Sequence, residues 1–148
     1  MATTTAAFTL SSSDIAPSPV SKSTTATLTK AGTTIGLAQC DGMSRRIMLS
    51  SETSIVDLIS AQAAGATGGA YTINKANKVY ICNSSTSDVD YVQIFLQAEE
   101  IGRLYAGDWM FFPWGPEHAT TSDIRITAAD QTSSVIIDYM VIGQRNEA

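Results

Sequence analysis

The chain has 148 residues, of which 44% are hydrophobic and 16% charged, and its net charge is −5. This length fits one domain with its own core. Only nine residues are basic, which argues against direct binding to nucleic acid. No stretch reaches the roughly 18 apolar residues of a membrane span, and the N-terminus lacks the basic start and apolar centre of a secretory signal. We therefore expect a protein that is made in a cytoplasm and leaves it, if at all, by another route.

The first segment, residues 1–21, is rich in Ser, Thr and Ala. Its larger apolar residues are Phe8, Leu10 and Ile15. Such a segment buries too little apolar surface to offset the entropy of its own ordering. We predict an extended N-terminal arm over residues 1–21, which a neighbouring subunit would hold in place, followed by a single β-sandwich domain over residues 22–148.

Strand-like runs begin after this arm. Residues 25–29 alternate Thr with Ala and Leu, and a run over 35–40 ends at Asp41 and Gly42. An Asp-Gly pair is typical of a tight hairpin turn. Because residues 46–50 alternate again, the sequence predicts a hairpin across this pair.

One segment has helical spacing. Apolar or long side chains recur at the helical period over residues 54–63. Ser54 and Asp57 resemble a weak capping box, and Gly65 is suited to end a helix. The sequence therefore predicts one short helix, which would need docking to persist.

The second half of the chain has the clearest β pattern. Val92 and Ile94 alternate with Gln93, and Ile124 and Ile126 alternate with charged neighbours. Several short strands separated by polar turns are typical of a sandwich or barrel. The predicted strands cover residues 78–83, 89–97, 101–106, 108–113, 122–127 and 133–142. The predicted fold is all-β, an antiparallel β-sandwich or jelly-roll-like barrel with one short helix and an extended N-terminal arm.

The last predicted strand is apolar on both faces except at Asp138. This pattern is typical of a central strand, or of a strand with one face in an interface. A buried carboxylate without a partner is unfavourable. We therefore expect Asp138 to pair with Arg103 or Arg125, or else to face solvent.

Residues with catalytic or metal-binding chemistry are few. His118 is the single histidine, and its nearness to Ser122 and Asp123 in a turn is not the geometry of a triad. Asp88 and Asp90 offer oxygens to a calcium ion but lack the further ligands of a calcium loop, so a solvated turn is expected. The sequence predicts no enzyme, no cofactor and no metal site.

The two cysteines, Cys40 and Cys82, are far apart in the chain. They form no Cys-x-x-Cys pair, so neither zinc nor redox chemistry is indicated. Both lie in apolar runs, where free buried thiols are expected. A disulfide between them depends on geometry that the sequence does not give.

The aromatic segment YAGDWMFFPW, residues 105–114, has large apolar side chains on both faces. Strand alternation places Trp109, Phe111 and Pro113 on one face and Met110, Phe112 and Trp114 on the other. One face can supply the core, and the other needs a cover. Three interpretations stay open: an interface, which such aromatics favour; a central strand covered within its own domain; or an aromatic platform for carbohydrate.

The succession of segments over residues 76–143 resembles a known kind of protein. A strand ending in Asn (KVYICN) is followed by VQIFLQ, by a Gly-Asp turn in RLYAGDWMFFPW, by an Ile-x-Ile strand and by a long apolar closing strand. In strand rhythm and turn type this resembles small β-sandwich virion proteins of tailed bacteriophages, such as capsid decoration (cement) proteins and neck or tail accessory proteins.

The resemblance implies a structural role without catalytic residues. It implies assembly in a host cytoplasm into the virion, contact with the major capsid protein or other virion subunits, and a symmetric homo-oligomer, often a trimer. Capsid decoration is the leading hypothesis; the alternatives are a neck, tail or fibre-attachment subunit and a carbohydrate-binding module. The candidate interface residues are Phe8, Leu10, Ile15, Trp109, Phe111 and Trp114.

Overall fold

The computed structural model describes residues 3–12, 20–29, 37–40, 44–52, 54–62, 71–72, 77–115, 123–128 and 131–144. Within these ranges every regular element is a β-strand, which confirms the all-β prediction there. The strands are β1 (Thr3–Ser12), β2 (Val20–Thr29), β3 (Leu37–Cys40), β4 (Ser44–Met48), β5 (Val56–Ile59), β6 (Ala61–Gln62), β7 (Tyr71–Thr72), β8 (Asn77–Asn83), β9 (Tyr91–Leu96), β10 (Glu99–Tyr105), β11 (Trp109–Trp114), β12 (Ile124–Thr127) and β13 (Val135–Gln144).

Two antiparallel sheets contain most of these strands. The first sheet has the order β10-β9-β12-β5. The second has the order β11-β8-β13, and both β3 and β4 pair with the remaining edge of β13. The second sheet is therefore four strand positions wide, with β13 in the interior, which agrees with the first of the two interpretations of its apolar pattern.

The strand pairs within the two sheets are nested along the sequence. β9 pairs with β10, β8 with β11, β5 with β12, and β4 with β13. The chain thus pairs from its middle outwards, like one long hairpin whose successive strand pairs are divided between two sheets. Three of these four pairs join strands separated by at least one other strand in sequence, so the fold depends on long-range contacts.

The two sheets share one hydrophobic core cluster. Val79 and Ile81 of the second sheet and Val92 and Ile94 of the first are fully buried and belong to one hydrophobic cluster. Along β8 burial alternates residue by residue, because successive side chains of a strand point to opposite faces. Each sheet therefore has one face in the shared core and one outer face.

The helix predicted over residues 54–63 is wrong for its described part. Val56–Ile59 is a strand on the edge of the first sheet. The register shifts there, so that Ile124 lies opposite Ile59 and Arg125 opposite Asp57, and Leu58 is the extra residue of a bulge. The bulge allows both Leu58 and Ile59 to be buried. Adjacent apolar residues such as Leu58 and Ile59 are also found on the buried face of a helix, where apolar positions recur at i, i+3 and i+4. The sequence of this bulged strand therefore resembled that of a helix.

The hairpin predicted across Asp41 and Gly42 is also wrong. β3 and β4 do not pair with each other; both pair with β13, one after the other along the same edge. Residues 41–43 themselves lie outside the described residues. The Asp-Gly pair is a local signal, and here the partner strand β13 decides the pairing.

The N-terminal segment contains a two-stranded ribbon. β1 and β2 pair in antiparallel register from Thr3 opposite Thr29 to Ser12 opposite Val20. The predicted arm, residues 1–21, thus contains β1 and the first residues of β2, and the pairing continues beyond it. Thr5, Thr9 and Ser23 of the ribbon are exposed.

Candidate interaction surface

The two faces of β11 have different surroundings. Trp109 is 56% and Phe111 40% exposed, whereas Trp114 is 4% exposed and belongs to the core. Met110 and Phe112 pack against that core. The predicted alternation of the strand is therefore correct. Of the three interface candidates on β11, the structure places Trp109 and Phe111 on the outer face of the second sheet, and Trp114 inside.

Trp109 and Phe111 lie beside further apolar side chains on this outer face. Phe111 is opposite Tyr80 of β8, which in turn is opposite Met140 of β13. The ring centroids of Tyr80 and Trp109 are 6.4 Å apart, and burial raises the pKa of the Tyr80 phenol. We call Tyr80, Trp109, Phe111 and Met140 the aromatic face. It is apolar and partly exposed, the combination that marks an interaction site.

The arm residues predicted for the same interface cannot be assigned to it. Phe8 and Leu10 belong to β1, where they lie opposite Thr24 and Lys22, but their side chains are outside what the structure describes. Ile15 lies outside the described residues altogether. Their contribution to an interface stays a prediction.

The described residues of four connections lie at one end of the two sheets, which we call the loop end: residues 49–52, 54–55, 84–90, 106–108, 128 and 131–134. Asn83 joins two of them, since its backbone N–H donates to the Asp108 carbonyl (3.0 Å) and its carbonyl accepts from the Gly107 N–H (2.8 Å). Its side-chain amide, fully buried, donates to the Leu104 carbonyl (2.9 Å). These bonds fix the turn that leads into the aromatic face.

Asp90 links residues 84–90 of the loop end to a third connection, which contains Thr132. One of its carboxylate oxygens accepts from the backbone N–H (2.9 Å) and the hydroxyl (3.1 Å) of Thr132. The hydrogen bond from the Thr132 backbone is the main cause that lowers the pKa of Asp90, with Ser87 contributing next. Asp90 is 2% exposed, so the expected solvated turn is wrong for this residue. It acts as an internal acceptor, as buried polar groups require.

Exposed apolar side chains are concentrated at the loop end. Among the described residues, most of the large exposed hydrophobic side chains lie in its connections or within two residues of them, and the exceptions are Ile101 and Phe111. The residues at the loop end are Ile47, Leu49, Ile55, Val89, Tyr105 and Trp109. The aromatic face and the loop end therefore form adjoining apolar surfaces.

Asp138 has a different partner from the two arginines predicted for it. Arg45 on the neighbouring strand β4 donates to both carboxylate oxygens, through Nε at 2.7 Å and Nη2 at 2.9 Å. The Ser84 hydroxyl donates at 2.5 Å. Arg103 and Arg125 instead pair within the first sheet. The hydrogen bond from Arg45, followed by that from Ser84, lowers the pKa of Asp138 to about 2.

The Arg45–Asp138 pair makes stability sensitive to acid. The pKa of Asp138 is lowered from 3.8 in the absence of these contacts to about 2 in the folded chain. Its contribution is therefore complete above about pH 4 and is lost as the pH falls through about 2. Because the Arg45 side chain is 60% exposed, we expect a contribution of only about 1 kcal/mol.

Urea denaturation of wild type and Asp138→Asn at pH 6 and pH 2.5 measures this contribution. The variant is expected to be less stable at pH 6, and the difference is expected to shrink at pH 2.5. Asp57→Asn disrupts the pair with Arg125, in which the Asp57 side chain is 51% exposed against 17% for Asp138; it is the control and should have a smaller effect at pH 6. A difference between Asp138→Asn and wild type that is equal at both pH values would contradict this assignment.

The remaining chemical candidates form no site in the described part of the chain. No group of three or more His, Cys, Asp or Glu residues suited to a metal is found among the described residues, and His118 lies outside them. The described residues likewise contain no helix long and apolar enough to cross a membrane.

A disulfide between Cys40 and Cys82 does not fit the register. Cys82, a free thiol, lies opposite Asp138 on one side of β13, and Cys40 lies opposite Ile142 on the other side. Two strand spacings separate their backbones by more than about 9 Å, beyond the roughly 7 Å that a disulfide spans.

Comparison with known proteins gives no relative: no family model matches the chain, and no curated protein or solved structure matches it.

Proposed function

We propose that the two sheets form a β-sandwich of the jelly-roll type. The nested pairing of eight strands, β4, β5 and β8–β13, supports this architecture, because a jelly roll is an eight-stranded double sheet of antiparallel strands. A core shared by residues of both sheets supports it further. Jelly rolls recur in viral capsid and lectin domains, so the fold is compatible with an assembly role without specifying one.

We further propose that the chain is a structural virion protein, a capsid decoration (cement) protein that binds and stabilises the shell of major capsid protein. The observation that carries this proposal is the aromatic face, with Trp109 and Phe111 exposed beside Tyr80. Trp and Tyr dominate the centres of protein interfaces, where they fill pockets and exclude water. The proposal assigns no catalytic step, cofactor, nucleic acid or membrane to the chain.

The proposed mechanism is mechanical. The aromatic face would bury apolar area against capsid subunits, and each buried Å² contributes about 25 cal/mol before the costs of association. A subunit that contacts two neighbours at once adds this contribution to the work of separating them. The N-terminal ribbon and the rest of the arm would bind adjacent subunits, and the chain would itself assemble as a homotrimer in the host cytoplasm.

The experiment combines the solution mass of the purified chain with its effect on shells of the same virion that lack it. We expect a trimer by light scattering, binding to the shells at a copy number comparable with that of the capsid protein, and a higher disruption temperature of the shells. A monomer that leaves the disruption temperature unchanged would refute the proposal. Binding at only a few copies per particle would instead favour a neck, tail or fibre-attachment subunit.

A further inference from the structure

The outer face of the first sheet carries a second, different array of side chains. At its β10 edge, Glu100 accepts two hydrogen bonds of 2.8 Å, one from Nε of Arg103 and one from the amide of Gln93. The Arg103 guanidinium lies over the Tyr91 ring, 5.0 Å from its centroid. The rings of Tyr91 and Tyr105 are 5.3 Å apart. These five residues, which we call the tyrosine array, come from only two strands.

A bulge adds Glu100 to the tyrosine array. Glu100 and Arg103 are three residues apart, so a regular strand would place them on opposite faces. The register shifts between Glu100 and Gly102, which leaves Ile101 as the extra residue. Glu100 is thereby brought onto the same face as Arg103, and bulges recur where a side chain must be re-aimed. Glu100 lies opposite Phe95, which is only 9% exposed although it is outside the core cluster.

The chemistry of the tyrosine array differs from that of the aromatic face. Tyr105 is 45% exposed and offers ring surface beside Tyr91, the ring over which the Arg103 guanidinium lies. The Glu100 carboxylate holds that guanidinium and the Gln93 amide in place. The charges of Glu100 and Arg103 balance each other, so the array favours a ligand without net charge. A pyranose sugar has the complementary form: an apolar C–H face that stacks on an aromatic ring, and hydroxyl groups that both donate and accept hydrogen bonds.

We propose that the tyrosine array is a binding site for a neutral saccharide, with a sugar ring stacked on Tyr105 and its hydroxyl groups bound by Gln93, Glu100 and Arg103. Pre-ordered polar groups beside an apolar surface are what small-ligand sites require, since little side-chain entropy is then lost on binding. The proposed site lies on the first sheet. The carbohydrate platform considered from the sequence involved the aromatic segment that contains Trp109, which lies on the second sheet. The charged, bulged β10 edge resists addition of another strand, which leaves its side-chain face for a ligand.

A glycan array of neutral oligosaccharides, including cellohexaose, maltohexaose and chitohexaose, tests this site. Calorimetry on the full-length chain then measures the affinity for the oligosaccharides that bind. We expect binding to at least one neutral oligosaccharide, weakened about tenfold or more by Tyr105→Ala and also weakened by Glu100→Gln, which keeps the side chain's shape. Trp109→Ala on the opposite sheet is the control and should leave the affinity unchanged.

Two outcomes would overturn the proposal. One is the absence of binding to every neutral oligosaccharide on the array; the tyrosine array would then serve only to protect the edge of the sheet. The other is binding that Tyr105→Ala and Glu100→Gln leave unchanged, or that Trp109→Ala abolishes. The circular dichroism and melting temperature of each variant establish that it is folded, so a loss of binding reports on the site.

Discussion

Replacing Trp114 with alanine is expected to lower the free energy of unfolding by about 3–5 kcal/mol, the range for removal of a large aromatic side chain from a core. Trp114 is 4% exposed and ends β11, opposite the buried Asn77 of β8. Alanine would leave a cavity. The surrounding side chains would fill it only in part, because β11 is held in register by its pairing with β8. Because domains have total stabilities of about 5–15 kcal/mol, this one substitution is expected to leave little reserve.

Trp109→Ala is the matched control, since it removes the same side chain from the same strand. Trp109 is 56% exposed, so we expect a loss of about 1 kcal/mol or less, chiefly from its ring contact with Tyr80. Urea denaturation followed by circular dichroism measures the free energy of unfolding of both variants. An unchanged dependence of that free energy on urea concentration indicates that the substitution altered stability alone. Equal losses for the two variants would contradict the assignment of the inner and outer faces of β11.

The faces of β11 were predictable from the sequence because the period of a strand is two. Once Trp109 and Trp114 are in one strand, their odd separation places them on opposite faces. The same rule correctly placed Ile124 and Ile126 in the core and Arg125 outside it. The sequence did not indicate which face of β11 is inside, because both faces are apolar.

Bulges are the reason for one clear failure of the sequence prediction and for one feature that it missed. At Leu58 the extra residue shifted the burial pattern from a period of two, and the result resembled a helix. At Ile101 another extra residue brought Glu100 and Arg103 together. A bulge is defined by two residues opposite one on the partner strand. A single segment read alone therefore carries no sign of it.

The partner of Asp138 shows a different limit. Physical reasoning predicted either a partner or exposure to solvent for a carboxylate in an apolar strand, and the structure supplies a partner. The identity of that partner depends on which strand lies next to β13, and Arg45 is 93 residues away in sequence. Strand order arises from the packing of the whole chain, so charge and spacing alone did not distinguish Arg45 from Arg103 and Arg125.

The second large effect is expected on assembly. The double variant Trp109→Ala/Phe111→Ala should weaken binding to capsid shells by about 100-fold or more, because each central aromatic of an interface contributes about 2 kcal/mol or more and 1.4 kcal/mol is a factor of ten. Both side chains are exposed on the outer face in the isolated chain. Their removal should therefore leave the fold intact and remove the apolar area that a partner would cover. Sedimentation of labelled protein with shells measures the affinity.

Ile101→Ala is the control for this prediction, since Ile101 is 39% exposed, close to the 40% of Phe111, but lies on β10 of the other sheet. It should bind shells as wild type does. If the double variant binds shells normally while remaining folded, the aromatic face is not the interface. The exposed apolar side chains of the loop end, Leu49, Ile55 and Val89, would then be the next surface to alter. If Ile101→Ala weakens binding as much as the double variant, the capsid contact lies on the first sheet, and it would compete there with the proposed saccharide.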